Sequence, residues 1–163
     1  RNDDGAEAGE RIDIHDGKLD ALESIVEEQA GAPLLVGYYY KASLDRIRKR
    51  FPQARVLDAK PETIRAWNRG EIPILLAHYK SAGHGLNLAD GGCDIALFDH
   101  DWNMEEREQI LERIGPTRQA QAGYERVVTI YQITTEGTID SAVLSRQASK
   151  LGVNDALLEH LKG

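Results

Sequence analysis

Apolar residues recur along the chain in two alternating patterns, one with helical spacing and one of short continuous runs. The helical spacing predicts helices over residues 17–30, 43–50, 61–69, 105–114, from 138 or 140 to about 150, and 155–161. The continuous runs predict buried strands over residues 34–39, 55–57, 74–77, 95–98 and 127–133. Strands that alternate with helices and are apolar throughout are typical of an α/β fold, with a parallel sheet covered by helices on both faces.

Capping and helix-breaking residues give the expected boundaries. Ser43 is the expected N-cap of the second helix, and Pro52 ends it. Residues 1–17 are rich in Asp, Glu and Gly and poor in large apolar residues, so we expect a flexible acidic lead-in. A single domain is then expected over residues 18–163.

Composition narrows the class of protein. The chain has 163 residues and a formal net charge of −7, and a chain that binds nucleic acid tightly by itself is usually basic. The only cysteine, Cys93, excludes an intramolecular disulfide and fits a reducing, cytoplasmic location. The apolar runs are too short to span a bilayer, and because no basic-plus-apolar segment is seen we expect no export signal. Because the first residue is Arg1, we expect a fragment of a longer protein.

Segments that follow predicted strands are the candidates for chemistry, because ligands of open parallel sheets bind beyond the carboxyl ends of the strands. These segments are Tyr39-Tyr40-Lys41, residues 81–87, and residues 99–103, which lead into residues 109–119.

Simpler motifs do not explain these segments. Residues 83–88 resemble the start of a dinucleotide fingerprint, but Leu88 stands where the third glycine is needed. The chain contains no G-x-x-x-x-G-K-S/T phosphate loop and no G-x-S-x-G elbow. A metal site and a Ser81/His84 hydrolytic pair are less favoured than ordinary strand-end loops. The imagined metal ligands are His84, Asp99, His100 and Asp101.

The order of three motifs is the sharpest signal in the sequence. SAGHGLNL (81–88) resembles motif V, DHDWN (99–103) resembles a D-P-x-W-N motif, and QILERIGPTRQ (109–119) resembles motif VI. Together they resemble the second RecA-like lobe of superfamily 2 helicases and translocases, most closely the bacterial and phage-type branch of the SNF2 family. KLDAL (18–22) resembles the helix that opens this lobe, and residues 33–39 resemble motif IV. The resemblance extends from about residue 18 to at least residue 150.

This resemblance implies a RecA-like fold without its own Walker A loop, in a two-lobe motor that binds ATP and Mg²⁺ between its lobes. It implies that Arg113 and Arg118 act as arginine fingers on the γ-phosphate, although the spacing after Arg113 is two residues longer than usual. We expect Gly115 and Pro116 to end the helix there, so that Arg118 projects from a loop.

Further site residues follow from the same resemblance. Nucleotide contacts are expected from Gly85, Asn87 and Gln109, and contacts with the DNA backbone are expected from Lys41, Ser43, Ser81 and Gly83. For each residue an ordinary structural role is the alternative: a surface arginine paired with a helix glutamate, a glycine in a tight turn, or a capped helix start. Trp102 is expected to pack half-buried, with a platform at the lobe interface as the alternative, and Trp67 is expected in the core or at its edge.

The sequence therefore predicts the C-terminal lobe of an SNF2-type, DNA-dependent ATPase. Its expected partners are DNA, contacted through the backbone without sequence preference, and an N-terminal RecA-like lobe, with no membrane contact. Alone, the chain is expected to be monomeric and unable to hydrolyse ATP. The main alternative is a non-catalytic interaction module that retains the fold, and a small-molecule Rossmann enzyme is a weaker one.

Overall fold

A six-stranded sheet organises the part of the chain that the computed structural model describes, which is residues 5–58, 60–82, 87–99, 104–114, 116–124 and 126–144. The strands are β1 (Leu34–Tyr38), β2 (Arg55–Val56), β3 (Ile74–His78), β4 (Asp94–Leu97), β5 (Val128–Ile133) and β6 (Ile139–Leu144). They lie in the order β2-β3-β1-β4-β5-β6. The first five strands in this order pair in parallel, and β6 is antiparallel to β5. The predicted α/β class with a parallel sheet is confirmed.

Helices cover both faces of this sheet. They are α1 (Gly5–Gln29), α2 (Lys41–Arg50), α3 (Pro61–Asn68), α4 (Met104–Ile114) and α5 (Pro116–Gln121), and a 3-10 turn spans Tyr79–Ala82. None of the helices in the described residues is long and apolar enough to cross a membrane.

Alternation along the strands divides the core into two layers, because successive strand residues point to opposite faces. Leu35 of β1 packs with Trp67 of α3 and Ile110 of α4. Val36, the next residue, packs on the other face with α1 and α2. Every residue of β1 is buried, as expected for a central parallel strand that is covered on both sides.

The C-terminal region corrects one prediction. In place of a helix beginning at Thr138 or Asp140, β6 forms a hairpin with β5. Thr138 N–H donates to the Thr134 hydroxyl at 3.0 Å, and Gly137 adopts a φ of +86° in the connecting turn. Pairing with β5 and burial of Ala142 override the local helical preference. Residues 145–150 and the predicted helix 155–161 lie outside the described residues.

Two helix starts also differ from the predictions. α1 begins at Gly5, well before residue 17, in a segment whose Ala, Glu and Arg residues have high helix propensity. The N-cap of α2 is Tyr40, without a side-chain cap, and Ser43 lies inside the first turn. Ser43 is therefore not the cap, because its hydroxyl is directed to a partner from another strand end.

Candidate functional site

A buried carboxylate, Asp99, connects the segments at the carboxyl end of the sheet, the end at which the parallel strands finish. Its Oδ1 accepts hydrogen bonds from Lys18 Nζ at 3.2 Å and from the Ser43 hydroxyl at 2.9 Å. Its Oδ2 accepts from the backbone N–H groups of Tyr39 at 2.8 Å and Tyr40 at 3.1 Å. These four donors satisfy a charge that is only 2% exposed, so a carboxylate is stable there. We call these five residues the Asp99 cluster.

Strand order brings the members of this cluster together. β1 lies between β3 and β4, so the segments that leave these three strands are neighbours. The Tyr79 hydroxyl, after β3, donates to the Asp99 carbonyl at 2.6 Å. His78 Nδ1 accepts from Lys80 N–H at 3.0 Å, which leaves Nε2 to donate to the Tyr39 carbonyl at 2.8 Å. The three strand ends are thus linked by hydrogen bonds, a connection that their positions in the sequence did not predict.

The residues expected to contact DNA at this end of the sheet differ in their exposure and in their hydrogen-bond partners. Lys41, the first residue of α2, is exposed to solvent. Ser43 is 1% exposed and its hydroxyl is held by Asp99, so this structure does not present it to a DNA phosphate. Ser81 lies in the 3-10 turn Tyr79–Ala82. Gly83 lies outside the described residues.

The motif VI arginines lie at the opposite, amino end of the sheet, because α4 carries the chain back across it. The carbonyl of Arg113, in the last turn of α4, accepts from Leu88 N–H at 3.4 Å. Gln119 Nε2 donates to the Gly92 carbonyl at 2.8 Å, and Gly92 lies beside Pro33, which precedes β1. The candidate residues therefore form two groups at opposite ends of the strands, and the rule that ligands bind at carboxyl ends describes only one of them.

Arg113 and Arg118 form a pair of like charges at this amino end. Burial lowers the pKa of the Arg113 guanidinium from its usual value, the nearby Arg118 lowers it further, and Glu112 acts in the opposite direction. Arg118 lies on α5, so the expectation that it projects from a loop is wrong. α4 does end at Ile114, as Gly115 and Pro116 predicted, but Pro116 then starts a second helix, since proline is well tolerated in the first turn of a helix.

Asn87, one of the expected nucleotide contacts, lies next to the C-terminal end of α4, because its neighbour Leu88 bonds to the Arg113 carbonyl. It is exposed, and its Oδ1 accepts from Ala89 N–H at 3.1 Å in a local turn. Its carbonyl accepts from Asn68 Nδ2 at 3.0 Å. Gln109 is half-buried on α4. Gly85 lies outside the described residues.

The structure describes Trp67 and Asp99, but not the other tryptophan or the other imagined metal ligands of the sequence analysis. Trp67 is fully buried and donates through Nε1 to the Leu88 carbonyl at 2.8 Å, which confirms its predicted place in the core. The carboxylate of Asp99 is held by Lys18, Ser43 and two amides. His84, His100, Asp101 and Trp102 lie outside the described residues.

A second polar network, which the sequence motifs did not predict, lies at the amino end of the sheet. Gln119 is buried, and its Nε2 donates to the carbonyls of Gly92 at 2.8 Å and Ile114 at 2.9 Å. Its Oε1 accepts from Arg126 Nε at 2.7 Å. Gln119 was visible as the last residue of motif VI, but Arg126 belongs to no motif and only the tertiary structure identifies it.

Arg126 extends this network to the loop that precedes β4. Its Nη2 donates to the Ala89 carbonyl, and its guanidinium lies 4.1 Å from the centre of the Tyr124 ring. The Tyr124 hydroxyl donates to Asp90 Oδ1 at 3.0 Å, and this hydrogen bond raises the pKa of Tyr124. We call Gln119, Arg126 and Tyr124 the Gln119 clamp.

Comparison with known proteins identifies relatives of several kinds. No model of a protein family matches the chain. Protein p41 of Acyrthosiphon pisum secondary endosymbiont phage 1 is 52% identical over 150 residues, which cover 92% of this chain and 33% of p41. The DNA repair and recombination protein RAD54B of Mus musculus is 36% identical over 86 residues, which cover 53% of this chain and 9% of RAD54B. The chain thus spans a third or less of the length of these relatives.

A solved structure has the same fold. The C-terminal part of the Fun30 ATPase domain superposes with a TM-score of 0.54 at 18% identity, covering 82% of this chain and 50% of that one. The match includes most of this chain, so the likeness is one of overall fold.

Proposed function

Because this chain belongs to the SNF2 family of ATPases and has the fold of their C-terminal RecA-like lobe, we propose that it completes a two-lobe, DNA-stimulated ATPase motor. In this proposal a first lobe holds the phosphates of ATP and Mg²⁺, and this chain supplies cations that stabilise the transferring phosphoryl group. Gly85, Asn87 and Gln109 border the nucleotide.

The observation that carries the proposal is the pairing of Arg113 with Arg118. Arg113 lies in the last turn of α4 and Arg118 on α5, and besides burial the charge of Arg118 lowers the pKa of Arg113, so two guanidiniums lie near each other in a chain of net charge −7. Negative charge spreads over the phosphoryl oxygens during transfer, and a planar guanidinium that cannot lose its proton is suited to stabilise it. Because Arg113 is half-buried, its interaction with an anion is weakened less by solvent than that of a fully exposed arginine.

DNA contacts are proposed at the carboxyl end of the sheet. Lys41 is exposed there at the first position of α2, and Ser81 and Gly83 belong to the segment that follows β3. Lysine and backbone N–H groups bind phosphates rather than base edges, so this contact carries no sequence preference. The segment after β3 continues to Leu88, which bonds to Arg113, so DNA and nucleotide contacts lie at the two ends of one stretch of chain.

The test uses a two-lobe protein in which this chain is the second lobe. Arg113→Ala and Arg118→Ala should each reduce DNA-stimulated ATP turnover by at least about 10²-fold, because each removes a transition-state cation. ATP binding should weaken much less, since the first lobe holds most of the nucleotide. Lysine at either position should restore little activity, because its ammonium does not reproduce the planar fork.

Arg69→Ala is the matched control, because Arg69 is an exposed arginine that pairs locally with Glu71 at 2.9 Å. It should leave turnover unchanged. Normal turnover in both Arg113→Ala and Arg118→Ala would refute the arginine-finger role and favour a non-catalytic module. Loss in Arg113→Ala alone would show that the second finger is not Arg118.

A further inference from the structure

The Gln119 clamp joins the segment that carries Arg118 to the loop that precedes β4. Gln119 follows Arg118 directly on α5, and its side-chain amide bonds to Gly92 and to Ile114, the last residue of α4. With Arg126 as the third hydrogen-bond partner, this buried amide fixes the rotation of its own helix. The direction in which Arg118 leaves α5 is therefore set by the side chain beside it.

Arg126, in the segment between α5 and β5, completes the clamp. Its Nε bonds to Gln119 Oε1 at 2.7 Å, and its Nη2 bonds to the Ala89 carbonyl. One guanidinium thus bridges α5 and the residue that follows motif V, and the Tyr124 ring at 4.1 Å supports its flat face. A guanidinium only donates hydrogen bonds, so Arg126 must contact the oxygen of the Gln119 amide and not its nitrogen. This contact fixes the orientation of the Gln119 amide.

From this geometry we propose that Arg126 is a positioning residue that acts through Gln119 to hold Arg118 in its catalytic place. The inference rests on the proposed function, since it assumes that Arg118 acts on the phosphoryl group. It adds a residue that lies outside all the motifs of the sequence. A misplacement of about 1 Å in a positioned group can cost up to about 10²-fold in rate, so loss of the clamp should be visible in turnover.

The experiment is a double-mutant cycle on ATP turnover in the two-lobe protein, with Arg118→Ala, Arg126→Ala and both changes together. Arg126→Ala should lower kcat between about tenfold and a hundredfold with little change in KM for ATP. In the Arg118→Ala background, Arg126→Ala should have no further effect on kcat, because the group that it positions is gone. A role in general stability would lower kcat by the same factor in both backgrounds, and that outcome overturns the proposal.

Two conservative variants sharpen the test. Arg126→Lys keeps the charge but cannot bond Gln119 and Ala89 together, so it should restore less than half of the lost rate. Tyr124→Phe keeps the ring under the guanidinium and loses only the bond to Asp90, so its kcat should stay within about threefold of normal. Full restoration by Arg126→Lys would refute the bridging geometry. If Arg126→Ala does not fold, the cycle is carried out with Arg126→Lys.

The outcomes separate this inference from the proposed function. Normal turnover in Arg118→Ala means that the arginine-finger proposal has failed. A large loss in Arg118→Ala together with normal turnover in Arg126→Ala means that only the positioning role has failed. Arg69→Ala again provides the matched control, and its thermal unfolding midpoint sets the range expected for removal of an exposed arginine.

Discussion

Lys18 Nζ lies 3.2 Å from Asp99 Oδ1 in a site where both side chains are almost inaccessible to solvent, although 81 positions separate the two residues in the chain. The Lys18 ammonium also lies 4.3 Å from the centre of the Phe98 ring. This pair fastens α1 to the end of β4, at the point where the segments after β1 and β3 meet. It therefore holds the frame from which Lys41 is presented.

Breaking this ion pair on one side should destabilise the fold strongly. Asp99→Asn leaves the Lys18 ammonium buried without a counter-charge, and we expect the free energy of unfolding to fall by about 3–5 kcal/mol. Lys18→Met added to Asp99→Asn should recover part of that loss, because the unpaired charge is removed. Denaturant unfolding measures the free energy of unfolding of the unaltered chain, of Asp99→Asn and of the double variant. Arg50→Ala, which removes an exposed pairing with Asp20 and Glu23, should cost at most about 1 kcal/mol, and an equal cost in Asp99→Asn would contradict the argument.

Close approach of Trp67 makes Gly91 intolerant of a side chain. A Cβ at Gly91 would overlap the Nε1 atom and the carbonyl of Trp67, which is fully buried and cannot move aside. Gly91→Ala should lower the free energy of unfolding by about 1–3 kcal/mol, in the range found for overpacked cores. Gly17→Ala is the control, since a Cβ there makes only ordinary contacts, with Glu136 O at 3.7 Å and Gly137 Cα at 3.9 Å, and alanine favours the helix. Equal stability of the two variants would contradict this packing.

Cys93 should react slowly with thiol reagents, and the reaction should shift to higher pH. Burial raises the pKa of the Cys93 thiol, and Asp94 raises it further. Because the pKa of Cys93 is higher in the folded chain than in the unfolded chain, the protonated thiol stabilises the fold. This contribution is fully present below the unfolded pKa and is lost as pH rises through the folded pKa.

Reaction with an aromatic disulfide reagent, followed against pH, measures this shift because the thiolate is the reactive form. The midpoint should be higher in the folded chain than in guanidinium chloride, and Asp94→Asn should lower it. Asp45→Asn, at an exposed position on α2, should leave it unchanged. Identical midpoints in folded and unfolded chain would show that Cys93 is not shielded.

Lys41 should contribute to DNA binding mainly through salt-dependent contact with the backbone. We expect weak binding of duplex DNA by this chain, with similar dissociation constants for unrelated sequences. Lys41→Ala should reduce the slope of log K against log salt by about 0.9, which corresponds to one lost phosphate contact. Lys49→Ala, an exposed lysine at the other end of α2, should leave the slope unchanged. Tight, sequence-specific binding, or the same slope in Lys41→Ala, would refute the proposed contact.

Much of the fold could be predicted from the sequence because it depends on neighbouring residues. The continuous apolar runs around Leu35, Leu75 and Ile95 predicted the central strands, and Pro61 placed the start of α3 correctly. The order of motifs predicted the SNF2 relationship for a similar reason, since each motif is a short contiguous stretch. The β6 strand was mistaken for a helix because its six residues carry no strong local signal, and its state depends on pairing with β5.

The arrangement of the candidate site needed the tertiary structure. Motif VI predicted Arg113, Arg118 and Gln119, but not that they lie at the end of the sheet opposite to Lys41. Ser43 was expected to contact DNA, and only the position of Asp99 at the end of β4 shows that its hydroxyl is already bound.

The sequence by itself determined strands β1 to β5, most of the helices and the family, because periodicity and contiguous motifs are encoded in residues close together in the chain. Only the tertiary structure decided that Lys18 neutralises Asp99 and that Arg126 holds Gln119. The physical reason is that strand order and helix direction set which distant residues meet. Buried polar groups must then find partners among the neighbours which that topology provides.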